Sequence, residues 1–181
     1  TGDGGLLITP DEETYRRARL LRWFGLDRDS SKDMRCEQNI EEYGYKFHMN
    51  DINATIGLAN FKSLGGVLYT HRLNAHQYDE ALGEVPGIKL LDHMPDRCVS
   101  SFWIYTLRVE RRDDFVEKLA SEGISASRVH DRNDKHLCLS KYKTDLPGTD
   151  EICSDMICIP CGWWADEVQI DHVIRVIQSG W

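Results

Sequence analysis

Residues 43–83 read YGYKFHMNDINATIGLANFKSLGGVLYTHRLNAHQYDEALG, and this stretch decides the fold. It opens with a turn of glycine and aromatic residues, after which Asn50 or Asp51 can cap a helix by accepting from its first free amides. Gly65 and Gly66 each disfavour a helix interior by about 1 kcal/mol relative to alanine, which predicts a bend or a split there. Apolar residues recur at a helical period, with His71 completing the stripe: Leu64, Leu68, Ala75, Tyr78 and Leu82.

A continuous helix over this stretch would be about 50 Å long, at ~1.5 Å per residue. An element of that length must contact more than one surface, so the pattern predicts a helix of the core or of a subunit interface. The polar turn that precedes it, Tyr43 to His48, is the part that favours a functional role.

Composition and charge describe a folded protein without a nucleic-acid surface. The chain has 181 residues, 41% of them hydrophobic and 29% charged, with a net charge of -8. A nucleic-acid surface needs clustered cations that displace counterions, so this charge argues against one. No apolar run approaches the ~18 residues of a membrane span. We therefore expect a cytoplasmic protein of one domain or slightly more.

Six cysteines raise the question of a metal site, and three of them lie close together near the C-terminus. Cys153, Cys158 and Cys161 have four and then two residues between them, a spacing found in plant-type iron–sulfur proteins. However, Cys158 falls inside Met156 to Pro160, an apolar run typical of a buried strand, and free cysteine is often a small buried hydrophobe. The prediction is that these cysteines are structural and bind no metal.

The residues before the central stretch predict a strand, a helix and a loop. Gly4 to Thr9 is a short apolar run typical of a buried strand. Thr9, Pro10 and Glu12 can begin a helix through a capping box. Leu26 to Glu42 is polar and lacks a period, which predicts an exposed loop.

The residues after the central stretch alternate between strand and helix patterns, which is typical of an α/β lobe. The turn Val85-Pro86-Gly87 divides the chain into residues 1–85 and 86–181. Beyond it, strands are predicted at 101–109, 124–129 and 156–160, and helices at 112–122 and 166–178.

Three motifs together resemble one enzyme family. Gly2-Asp3-Gly4-Gly5 precedes a predicted strand, GYKFHMNDINATIG follows some forty residues later, and His71-Arg72-Leu73-Asn74 follows in turn. Together they resemble the DegT/DnrJ/EryC1/StrS family of sugar aminotransferases, and nearly the whole chain fits the C-terminal half of that family's pattern.

The resemblance implies the C-terminal portion of a type I aminotransferase fold that uses pyridoxal phosphate (PLP). Residues 1–85 would be the end of the PLP-binding large domain plus the long helix, and residues 86–181 the small α/β domain. The family pattern further implies a homodimer, glutamate as amino donor and a nucleotide-linked keto-sugar substrate, as in deoxyamino sugar and polysaccharide biosynthesis. It places the Schiff-base lysine just upstream of Thr1, so we expect no catalytic residue within these 181 residues and no transamination by the chain alone.

Two positions depart from the family's pattern. Lys46 stands where the family usually has asparagine, and His48 where it has arginine. The family's asparagine reaches across the dimer to the cofactor phosphate, and a lysine ammonium can bind the same group as a point charge. The resemblance therefore implies that Lys46 binds the cofactor and that His48 binds substrate, although a solvated surface lysine is an alternative.

A second polar cluster follows the predicted strand at 124–129. Its side chains can hydrogen-bond sugar hydroxyls or a diphosphate, because imidazoles both donate and accept and arginines donate. A solvated loop is the alternative, whereas a metal site lacks cysteine or carboxylate ligands at tight spacing. The candidate substrate-binding residues are Arg128, His130, Arg132, Asn133 and His136.

Two other functions fit the same residues. A PLP-dependent sugar dehydratase of the same family would carry histidine in place of the upstream lysine. A non-catalytic dimerisation fragment would use only the long helix and the α/β lobe. An independent nucleotide-binding module is disfavoured, because Gly2-Asp3-Gly4-Gly5 precedes a strand and so presents no helix N-terminus to a phosphate.

Overall fold

A computed structural model describes residues 2–30, 34–94 and 96–181. Within it the chain forms two compact units, divided between Ser63 and Leu64. The sequence places the boundary later, after residue 85, because Pro86 is the stronger turn signal. The assignment of residues 1–85 and 86–181 to a large and a small domain of a longer protein stays a prediction.

The first unit begins with an extended segment and a capped helix. Residues 4–9 form no strand: Leu6, Leu7 and Ile8 are exposed and pair with no other described segment, so the strand prediction is wrong for this chain. Helix α1 spans Glu12–Leu21, and its N-cap is Asp11, whose Oδ1 accepts from the amide of Thr14 at 2.7 Å. The predicted cap at Thr9 is wrong, since a carboxylate directly before the helix satisfies the free amide instead.

The rest of the first unit is a polar loop and a second helix. Among the described residues of the loop predicted at 26–42, the only regular element is a single 3-10 turn, Arg35–Glu37, while residues 31–33 lie outside the described residues. Helix α2 spans Asp51–Phe61, and Asn50 caps it by accepting from the amide of Asn53 at 2.9 Å. The cap prediction is confirmed.

The second unit is a three-stranded antiparallel sheet packed against helices. Its strands are β1 (Ile88–Leu90), β2 (Tyr105–Val109) and β3 (Met156–Ile159), with β2 in the centre. Its helices are α3 (Leu64–Leu82), α4 (Arg112–Ser121), α5 (Pro147–Asp155) and α6 (Glu167–Gln178). The predicted split of the long helix is confirmed, but it falls at Lys62 and Ser63, and both glycines lie inside α3.

The core of the second unit forms where α3, α4 and α6 meet the sheet. Strand β2 alternates, burying every second residue, whereas β3 is buried throughout, as expected for an apolar strand. The apolar stripe predicted for α3 supplies Ala75, Tyr78 and Leu82 to this core, each with no exposed surface. Burying a side chain of the size of Leu82 contributes about 1.5–3 kcal/mol, so α3 is a principal stabilising element of the unit.

Three segments of this unit differ from the sequence patterns. The strand predicted at 124–129 is reduced to one isolated bridge between Ser127 and Cys158. Strand β1 and helix α5 carry no clear period, and both form through tertiary contacts, β1 by pairing with β2 and α5 by lying beside β2. Among the described residues no helix has the length and apolar character to span a membrane.

Candidate functional site

The turn that contains Lys46 is held against the end of α1 by backbone hydrogen bonds. The amide of Tyr45 donates to the carbonyl of Leu21 at 2.6 Å, and that of Phe24 donates to the carbonyl of Tyr45 at 3.0 Å. The amide of Phe47 completes the set by donating to Arg22 at 2.9 Å. This pairing places Lys46 directly opposite Trp23. Sequence reasoning missed it, because neither segment shows a strand pattern.

Three side chains of the site lie around the indole of Trp23. The Lys46 ammonium lies 5.3 Å from the centre of the ring, and the Arg28 guanidinium carbon lies 5.5 Å from it. The His48 imidazole meets the indole edge-on, with ring centres 4.0 Å apart. Cation–π attraction of about 0.5–1 kcal/mol per contact helps to position these cations. The two predicted residues Lys46 and His48 are thus brought together, and Trp23 and Arg28 are additions that only the structure provides.

The field around His48 is positive. Burial, followed by the charges of Lys46, Arg28 and Arg22, lowers the pKa of His48, while Asp51 acts weakly in the opposite direction. His48 Nδ1 is buried and has no hydrogen-bond partner among the described residues. Such a surplus of positive charge fits an anionic group, such as the cofactor phosphate that the family resemblance implies for Lys46.

The loop of residues 128–136, in the second unit, is braced internally by ion pairs. Arg132 donates to Asp134 at 2.8 and 2.5 Å, to Asp150 at 2.7 and 2.8 Å, and to the carbonyl of Thr144 at 2.6 Å. Hydrogen bonding to Arg132 lowers the pKa of Asp134 to about 2. All the nitrogens of this guanidinium are therefore engaged, so Arg132 holds the loop and has no free donor for a substrate.

Arg128 takes part in a second pair in the same loop. It donates to Asp131 at 2.7 Å, and Lys135 contacts the same carboxylate. The bond from Lys135 is the main reason that the pKa of Asp131 is lowered to about 2. Arg128 also lies 3.4 Å from the carbonyl of Cys153, which fixes its direction.

The remaining candidates of this loop are exposed and uncommitted. His130, Asn133 and His136 make no side-chain hydrogen bond to any described residue. The ring of Trp103, itself 59% exposed, lies 6.1 Å from that of His130. The structure thus separates the arginines, which brace the loop, from three side chains that make no hydrogen bond to the described residues. Trp103 lies far from the loop in sequence, and its position beside His130 could not be read from any local pattern.

Two of the three cysteines near the C-terminus, Cys158 and Cys161, are buried, whereas Cys153 is only partly buried. Cys158 lies in β3 with its sulfur 3.4 Å from the Thr106 hydroxyl, and Cys161 donates to the carbonyl of His71 at 3.3 Å. Burial raises the pKa of the Cys161 thiol to about 12, so it stays protonated. No cluster of metal-ligating side chains occurs among the described residues. These contacts support the prediction that Cys158 and Cys161 are structural.

Comparison with known proteins decides the family. The profile of the DegT/DnrJ/EryC1/StrS aminotransferase family matches residues 1–178. The chain belongs to this family. Its α/β fold is the C-terminal portion of a type I PLP-dependent aminotransferase fold, as the sequence resemblance implies.

Individual members of the DegT/DnrJ/EryC1/StrS family are similar along nearly the whole chain. A dTDP-4-dehydro-2,3,6-trideoxy-D-glucose 4-aminotransferase of Saccharopolyspora spinosa is 29% identical over 99% of this chain and 48% of its own length. Two crystal structures superpose with a TM-score of 0.87 over 95% of this chain and 46% of theirs. They are the sugar aminotransferase CalS13 of Micromonospora echinospora, 38% identical, and AtS13 of Actinomadura melliaura, 42% identical. The chain therefore spans about half the length of the relatives that it matches.

Proposed function

We propose that the chain is part of a PLP-dependent aminotransferase that moves an amino group from glutamate to a nucleotide-linked keto-sugar. The observation that carries the proposal is the family match over residues 1–178. The relative from Saccharopolyspora spinosa, named for a dTDP-linked 4-keto-deoxyhexose, suggests that class of substrate and amination at carbon 4. When bound, PLP supplies the chemistry that carries nitrogen between the donor and the sugar.

In this proposal Lys46 holds the phosphate of the cofactor across a homodimer. Its ammonium is exposed and has no carboxylate partner among the described residues, so it is available to an anion. The backbone bonds between residues 21–24 and 45–47 fix the turn that carries it. His48, on the same turn, remains the predicted substrate contact at this end of the site.

The loop of residues 128–136 forms a wall of the substrate pocket in this proposal. His130, Asn133 and His136 are exposed and uncommitted, and they can exchange hydrogen bonds with sugar hydroxyls or a diphosphate. Arg128 can contribute from its place beside Asp131. Arg132 acts on the loop instead, because its donors are already engaged.

The half-reactions test the proposed function directly in the full-length protein loaded with PLP. Glutamate alone should convert the cofactor spectrum to that of the amino form, and the keto-sugar nucleotide should then restore it. A sugar dehydratase would consume sugar nucleotide without any spectral response to glutamate. That result would replace the proposal, and a dimerisation fragment would show neither response.

Substitution of the loop separates the substrate from the donor. His130→Ala and Asn133→Ala should each raise KM for the sugar nucleotide about tenfold, because a polar contact with substrate is lost. The glutamate half-reaction should keep its rate in both variants. Asp145→Asn, an exposed change just beyond this loop, serves as the control. Equal slowing of both half-reactions would place these residues on the cofactor or in folding.

Substitution of Lys46 tests the cofactor contact. Lys46→Gln removes the charge but keeps a side chain of similar length, and it should weaken PLP retention about tenfold or more, as expected for a lost bond to a charged group. Retention can be followed by dialysis and cofactor absorbance. Unchanged affinity for PLP would remove Lys46 from the phosphate site.

A further inference from the structure

The cations around Trp23 exceed what a single phosphate contact through Lys46 requires. Arg28 approaches the same indole as closely as Lys46 does, at 5.5 against 5.3 Å. Arg22, Arg28 and Lys46 have no carboxylate partner among the described residues. Cations collected without counter-charge repel one another, and an anion that binds between them relieves this repulsion.

Carboxylates are present beside Arg28, but they are committed to other partners. Asp29 forms an ion pair with Arg19 at 2.6 Å. The Asp27 carboxylate accepts a hydrogen bond from the amide of Asp29 at 2.9 Å. The side chain of Gln38 accepts from the backbone amide of Asp27 and donates to its carbonyl. The turn that carries Arg28 is therefore shaped by its own acidic residues, which leaves the guanidinium to face Trp23.

We propose that Arg28 and Lys46, arranged around Trp23, form one binding site for a phosphoryl group. This inference rests on the proposed function for Lys46 and extends it to a residue that neither the sequence nor the family resemblance singles out. Arg28 contributes a planar fork of donors and Lys46 a compact point charge, a combination that can bind two oxygens of one anion. Two molecules of the proposed reaction contain such a phosphoryl group: PLP, in its phosphate, and the sugar nucleotide, in its diphosphate.

The charges around His48 agree with this grouping. Lys46, Arg28 and Arg22 each lower the pKa of the same imidazole, after the larger effect of burial. The indole is an apolar surface next to both cations, and attraction between cations and anions is stronger beside an apolar surface than in bulk water. Trp23 thus positions the cations and also raises their effect on a bound anion.

Binding of inorganic pyrophosphate to the cofactor-free, full-length protein tests the site itself. The variants are Arg28→Gln, Lys46→Gln and the double variant, with Arg16→Gln as control, because Arg16 is an exposed arginine of α1 paired with Glu12. Titration calorimetry should show about tenfold weaker binding for each single change. Arg28→Lys should recover part of the loss. Binding by Arg28→Gln within twofold of the control would overturn the proposal.

The imidazole of His48 provides a second readout that a structural defect would not reproduce. Pyrophosphate should raise the pKa of His48 in the wild-type protein, because the anion offsets the surrounding cations. The shift should be lost in the double variant. An unchanged His48 titration on addition of pyrophosphate, followed by NMR, contradicts a site at this place.

Two further measurements distinguish the sources of the phosphoryl group. If PLP occupies the site, Arg28→Gln raises the Kd of PLP about tenfold and leaves inhibition by a free nucleoside diphosphate unchanged. If the sugar nucleotide occupies it, the two effects are reversed. A lack of both effects overturns the assignment. If the proposed function were wrong, the cofactor spectrum would not change on addition of glutamate. The pyrophosphate titration would still show whether the anion site exists.

Discussion

At the scale of single residues, His48 reports on the charges that surround Trp23. Its pKa is lowered first by burial and then by Lys46, Arg28 and Arg22, whereas Asp51 opposes the shift. The usual histidine pKa of ~6.5 applies to the unfolded chain, so below that pH the unfolded chain takes up a proton that the folded chain resists. The stability contributed by neutral His48 is therefore complete above pH ~6.5. It declines as the pH falls from that value through the lower pKa of the folded chain.

Two measurements check this prediction. An NMR titration of His48 should give a pKa below ~6.5, and Lys46→Gln should move it upward because one neighbouring cation is removed. His48→Gln should make the stability of the first unit less dependent on pH between pH 5 and pH 7. A His48 pKa at or above the ordinary value would contradict the positive field described above.

At the scale of elements, Gly44 allows the turn of residues 43–48 to approach the end of α1. A Cβ at this position would lie 2.6 Å from the carbonyl of Leu21 and closer still to the amide of Gly25. Both obstacles are backbone atoms that already take part in the turn, so they cannot move aside as a flexible side chain would. The glycine is therefore required by the packing of two segments, rather than by a turn conformation alone.

Substitution of this glycine should separate the two segments. We expect Gly44→Ala to destabilise the first unit by about 1–3 kcal/mol, as overpacking does, and to weaken anion binding because Lys46 is displaced from Trp23. Gly66→Ala is the matched control: a Cβ there meets nothing within 4 Å, and alanine favours a helix interior by about 1 kcal/mol. Chemical denaturation measures both changes, and equal stability of the two variants would contradict the close approach.

At the scale of the whole molecule, the second unit is stabilised in part by the buried side chain of Asn74. This α3 residue is only 3% exposed, and its amide nitrogen lies 3.2–3.3 Å from the carbonyls of Cys161, Gly162 and Ala165. It thereby ties the helix to the segment that follows β3. The carbonyl of Gly162 also accepts from the amide of Ala165, whereas for the carbonyls of Cys161 and Ala165 the asparagine is the donor among the described residues.

Removal of this donor should weaken the second unit as a whole. Asn74→Ala should cost about 1–3 kcal/mol of unfolding free energy, because buried acceptors are left without a partner. Glu80→Ala, an exposed change on the same helix, should stay within about 0.5 kcal/mol of the wild-type protein. Denaturation of both variants in parallel decides the matter, and a neutral Asn74→Ala would show that water replaces the amide.

The sequence by itself determined the elements whose signals are local. The cap at Asn50, the apolar stripe of α3 and the buried strand at β3 follow from side-chain chemistry and period, which act within a few residues. The family motifs likewise placed Lys46 and His48 on one turn. Residues 4–9 show the limit: a strand needs a partner, and an apolar run predicts burial only where another segment covers it.

Only the tertiary structure decided which side chains meet. Trp23 lies opposite Lys46 through hydrogen bonds between segments that show no strand pattern, and Arg28 joins them from a polar loop. The ion pairs of Arg132 with Asp134 and Asp150 distinguish a residue that braces the loop from those left free to bind, a difference invisible in the string of donors from 128 to 136. The sequence determines charge and hydrogen-bonding capacity, but whether a donor is free depends on partners that are distant along the chain.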